Sequence, residues 1–66
     1  MSIKISLESA RVNAKLTQKE AAEKLGVTQQ TIYTWEKEPN KIPIGKAYKL
    51  AVTYGLPLDA IDFLCN

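Results

Sequence analysis

The densest chemistry in this chain lies between positions 29 and 37, where Gln29, Gln30, Tyr33, Thr34 and Lys37 fall close together. Their amides, hydroxyls and ammonium contain no nucleophile with a base beside it. They are instead a set of hydrogen-bond donors and acceptors suited to reading a polar surface. If the stretch is helical, 3.6 residues per turn brings all of them within an arc of roughly 140°. Thr28, Thr31, Ile32 and Trp35 then take the opposite side, with Glu36 at the border. One face packs inward and the other is presented. Base-pair edges suit such a face, because a glutamine amide pairs bidentately with N6 and N7 of adenine and a threonine methyl meets the thymine methyl.

Little else in the composition could do chemistry. The 66 residues hold no histidine and one cysteine, Cys65, so neither an internal disulfide nor a zinc site can be built. There is no glycine-rich phosphate loop and no activated nucleophile. Catalysis is not expected, and no cofactor or small-molecule substrate is implied. The net charge of +2 favours a polyanion only weakly, and the basic residues are spread along the chain. Charge alone does not nominate DNA. No segment approaches the ~20 apolar residues of a membrane span, and the start lacks signal-peptide character. A cytoplasmic protein with one domain over residues 1–66 is the expectation, since so short a chain supports a single core.

The elements that must position this face are well punctuated. A first helix fits Ser6 to Lys15, with Ser6 as N-cap and Leu7, Ala10 and Ala14 on one side; Ile3 and Ile5 could begin it or form an extended arm. Thr17-Gln18-Lys19-Glu20 is a capping box, preceded by Leu16 as a staple onto Ala21. The helix it opens, Gln18 to Leu25, stops at Gly26. Thr28 caps a third helix, Gln29 to about Lys37, and Pro39 and Pro43 mark a loop. A fourth helix fits Gly45 to Tyr54, with Ala47, Leu50, Ala51 and Tyr54 at helical spacing and Gly55 as its stop. Pro57 and Asp59 suit the first turn of a short fifth helix carrying Leu58, Ile61 and Leu64. The expected fold is all-α with five helices. Its second and third helices, joined through Gly26, have the helix-turn-helix arrangement, in which small residues at Ala21 and Ala22 allow a close crossing.

The run LTQKEAAEKLGVTQQTIYTWE, Leu16 to Glu36, resembles the helix-turn-helix of the xenobiotic-response-element, or lambda-repressor-like, family that includes phage Cro proteins and repressors. The stretch KLAVTYGLPLDAI, Lys49 to Ile61, is similar to the last two helices of that fold. The resemblance implies a sequence-specific regulator of transcription that binds double-stranded operator DNA through the major groove, closest in plan to the compact Cro type. It implies base reading by Gln29, Gln30 and Thr34, with Tyr33 either in the groove or packed over its own helix. It also implies phosphate contacts from Gln18 and Thr28 and, along the following loop, from Lys37, Asn40 and Lys41. Arg11 and Glu36 match a pair that often forms a buried ion pair. Three departures stand out: Ala21 replaces a larger aliphatic, no glycine ends the third helix, and Pro57 stands where Ser or Thr is common. Antitoxins also use this fold, so a module that neutralises a partner protein is the alternative.

One recognition helix and a net charge of +2 supply few contacts, so two copies on half-sites about one helical turn apart are expected. Such a homodimer would be weak or induced by DNA. Its contact is expected at the end of the chain, through Leu58, Ile61, Phe63 and Leu64; alternatively Phe63 folds back over Tyr54.

Overall fold

The computed structural model describes residues 4–63. Four α-helices follow in chain order, α1 Leu7–Asn13, α2 Gln18–Leu25, α3 Gln29–Lys37 and α4 Ile44–Tyr54, with single 3-10 turns at Pro39–Lys41 and Leu58–Ala60.

The helix starts follow the side chains that cap them. Ser6 accepts the Ser9 N–H at 3.1 Å. Thr17 accepts the Glu20 N–H at 3.1 Å while the Glu20 carboxylate accepts the Thr17 N–H at 2.9 Å, so the capping box closes in both directions. Thr28 accepts the Thr31 N–H at 3.1 Å. Gly26 ends α2 at φ 71° and ψ 31°. A Cβ at Gly26 would meet nothing within 4 Å, so the position requires a left-handed backbone and not empty space.

Two boundaries differ from the sequence expectation. The first helix is shorter than Ser6 to Lys15, because Lys15 itself takes a left-handed conformation at φ 63° and turns the chain toward α2. α4 begins one residue early, at Ile44, with Pro43 before it.

The fifth helix is a correction. Leu58–Ala60 is one 3-10 turn, and the chain then becomes extended at Ile61, with φ −107° and ψ 134°. The Ile5 N–H donates to the Ala60 carbonyl at 3.0 Å, and the Asp62 N–H donates to the Ile5 carbonyl at 2.8 Å. This parallel bridge between Ile5 and Ile61 engages backbone groups that a continuing helix would have paired within itself. Ile5 is thereby an extended arm; Ile3 lies outside the described residues.

The core joins all four helices. Ala10, Ala21 and Leu25 are fully buried, and Ile32, Leu50 and Ile61 are 1% exposed. α2 packs on both α3 and α4, and the buried Ala21 and Ala22 leave room for that approach. Trp35 fills the space under α3, and Leu16 and Val27 lie partly buried against the same cluster. Among the described residues no helix is long and apolar enough to cross a membrane, and no group of His, Cys, Asp and Glu could hold a metal ion.

Candidate nucleic-acid interface

α3 presents the face that its periodicity requires. Gln29, Gln30 and Lys37 are exposed and Tyr33 is 47% exposed, while Ile32 and Trp35 are buried. Thr34 is half-buried at the edge of this face. The Lys37 ammonium lies 5.5 Å from the centre of the Tyr33 ring, a cation–π contact that steadies both side chains.

Tyr33 and Gln18 stand between two hollows. One, of about 310 Å³, is bounded by Gln18, Gln29, Gln30 and Tyr33 and carries no charged side chain. The other, of about 380 Å³, is bounded by Glu8, Gln18, Tyr33, Glu36 and Lys37. The second hollow carries charges of both signs. The first suits a neutral, hydrogen-bonding edge.

Behind this face a polar network fixes α3. Glu36 accepts from Arg11 Nε at 2.6 Å and, more weakly, from Arg11 Nη2 at 3.4 Å. It also accepts from the Gln18 amide at 3.1 Å. Arg11 Nη1 donates to the Leu16 carbonyl at 2.9 Å. The two charged side chains are only 11% and 10% exposed, and the hydrogen bond to Glu36 holds the Arg11 guanidinium above its ordinary pKa. One ion pair thus ties α1, the turn after it, the start of α2 and the end of α3. Tyr54 of α4 lies next to it: burial, with a smaller push from the Glu36 charge, raises its phenol to about 12.

This arrangement changes the part expected of two residues. The Gln18 amide nitrogen faces inward to Glu36, so a phosphate must be met by its backbone N–H at the start of α2 or compete with Glu36. The Thr28 hydroxyl serves the cap of α3 and lies 2.8 Å from the Thr31 hydroxyl. Sequence spacing could not reveal the Gln18–Glu36 bond, since 18 positions separate the two residues. Asn40 and Lys41 are exposed, on a 3-10 turn and not an open loop. The Lys41 ammonium is 3.1 Å from Glu38; that exposed pair is weak enough for a phosphate to replace it.

The apolar residues expected to join two copies are dispersed. Ile61 is a correction: it is 1% exposed and belongs to the core, where the bridge to Ile5 holds it. Phe63 is half-buried and packs against the core cluster. Leu58 is 41% exposed, and Leu64 lies outside the described residues. The sequence reading missed Ile44, which is 82% exposed. The phase of α4 could not have found it, because Ile44 lies three and seven positions before the buried Ala47 and Ala51, on their side of the helix; it is exposed as the first residue of α4.

Neither a comparison with curated proteins nor one with solved structures gives a match. A family model described as helix-turn-helix matches residues 7–61, which takes in every α-helix and both 3-10 turns. With Gly26 between α2 and α3, a side-chain cap at the start of α3 and the ion pair behind it, the chain belongs to the helix-turn-helix family of the Cro/C1, lambda-repressor-like type, a family of DNA-binding regulators.

Proposed function

We propose that this protein is a sequence-specific regulator of transcription that lays α3 in the major groove of duplex DNA. One observation carries the reading. Gln29 and Gln30 are exposed at the start of α3 beside a hollow without charge, while a part-buried ion pair holds the helix from behind. Base edges present directional donors and acceptors, and a glutamine amide can meet the N6 and N7 of adenine with both of its polar atoms. Thr34 and Tyr33 extend the contact along the groove.

Phosphates are met at the margins, by the N-termini of α2 and α3 around Gln18 and Thr28, and by Lys37, Asn40 and Lys41. Lys37→Ala and Lys41→Ala are each expected to lower the slope of log affinity against log salt by about one. An unchanged slope in a salt titration removes that lysine from the contacts. Regulation follows from occupancy, with two copies on neighbouring half-sites in the cytoplasm blocking or assisting polymerase.

Selection of bound sites from random duplex DNA tests the reading. It is expected to enrich a short motif repeated with two-fold symmetry, the centres about 34–36 Å apart. A pool no different from the input after repeated rounds contradicts it.

A further inference from the structure

We infer that Glu8 limits the affinity of this chain for DNA of any sequence, its carboxylate set beside the phosphates that Gln18 and Lys37 meet. This rests on the DNA-binding reading, and the role is the opposite of a contact: an acidic side chain held at the edge of the duplex.

Glu8 stands on α1, outside the pair of helices that meets the groove. It nevertheless borders the same hollow as Gln18, Tyr33, Glu36 and Lys37. Gln18 and Tyr33 also border the hollow of Gln29 and Gln30, so the two hollows are neighbours on one face. A duplex with α3 in its groove and its backbone against Gln18 and Lys37 therefore passes the Glu8 carboxylate.

Four charges act here, and two of them cancel. Glu36 is held at 2.6 Å by Arg11 and accepts a further hydrogen bond from Gln18. Lys37 and Glu8 remain. The Lys37 ammonium lies 5.5 Å from the centre of the Tyr33 ring, and Glu8 is exposed. Among the described residues Glu8 forms neither a side-chain hydrogen bond nor an ion pair. The Arg11 guanidinium, held charged chiefly by its hydrogen bond to Glu36, also feels the Glu8 charge. The pull of Lys37 on a phosphate is thus offset by one uncompensated carboxylate at the same hollow.

Phosphates carry no sequence information, so this repulsion acts on every duplex alike. Weakening the shared attraction leaves a larger share of the affinity to the amides of Gln29 and Gln30. It also shortens residence on DNA that those amides do not match.

The test is Glu8→Gln in the full chain, with folding checked by thermal melting, because an acidic residue in the first turn of α1 also favours that helix. Glu23→Gln is the control: Glu23 is exposed on α2, borders neither hollow, and its loss changes the net charge equally. Each chain is titrated by anisotropy against the selected duplex and a scrambled one, at low and at high salt. At low salt Glu8→Gln is expected to bind both duplexes about two- to fivefold more tightly than the parent. The gain is expected to fade at high salt, where the charges are screened, and to be much smaller in Glu23→Gln. Equal gains in the two variants assign the effect to net charge and overturn the inference. A loss confined to the selected duplex also overturns it, and makes Glu8 a base contact accepting from cytosine N4. If the parent binds duplex DNA and Glu8→Gln binds no tighter, the inference fails alone; if neither chain binds any duplex, the DNA-binding reading fails with it.

Discussion

Glu36 accepts hydrogen bonds from Arg11 and Gln18 with a side chain only 10% exposed. Removing it leaves a largely buried guanidinium with the Leu16 carbonyl as its remaining partner. Glu36→Ala is therefore expected to cost about 3 kcal/mol, the lower end for a broken buried pair. That is a large share of the total stability of a domain this size. Arg11→Met with Glu36→Leu is expected to recover much of the loss. Urea melts check both, and a neutral Glu36→Ala contradicts the structural role. Tyr54 gives a pH prediction from the same place. Its folded pKa is raised to about 12, above about 10 for an unfolded tyrosine. The stability it adds is complete below pH 10 and is lost as pH rises through 12. Tyr54→Phe is expected to remove that alkaline decline from melts taken across pH 10–12; a decline unchanged in the variant assigns it elsewhere. Neither role could be read from spacing. Arg11 and Glu36 were paired only by resemblance, and Gln18 was expected to face the phosphates. Nothing local connects residues so far apart in the chain.

Elements were legible where side chains fix their ends. α2 matches the sequence reading at both ends and α3 at its start because Thr17, Glu20, Gly26 and Thr28 cap them. α1 was read too long because no breaker marks Lys15, whose left-handed φ of 63° comes from the turn it must make. The fifth helix was misread for a different reason. Leu58 and Ile61 have helical spacing, but the backbone pairs with Ile5, a partner 56 positions away that no local pattern reveals. Thr17→Ala is expected to cost about 1 kcal/mol through the lost cap. Gly26→Ala is expected to cost about 1–2 kcal/mol through the left-handed backbone. Because a Cβ at position 26 has open space, a synthetic chain with D-alanine there is expected to keep its full stability. Equal losses for the L and D forms in thermal melts would place the cost in packing instead.

At the scale of the whole molecule, a body of 34 × 22 × 18 Å carries one polar face on α3 and one apolar face. The polar face was legible because helical phase alone separates the exposed Gln29, Gln30, Tyr33 and Lys37 from the buried Ile32 and Trp35. The apolar face was only half legible, since burial divides Ile61 and Phe63 from Leu58 and leaves Ile44 to lead it. The central claim is that the amides of α3 read bases. Its most direct test is an anisotropy titration of the parent chain, Gln29→Ala and Gln30→Ala at one salt concentration, against the selected duplex and a scrambled one. Each substitution is expected to lose about 1–3 kcal/mol on the selected duplex, roughly 5- to 150-fold in affinity, with binding to the scrambled duplex nearly unchanged. Equal losses on both duplexes, or no loss on either, would contradict base reading by this helix.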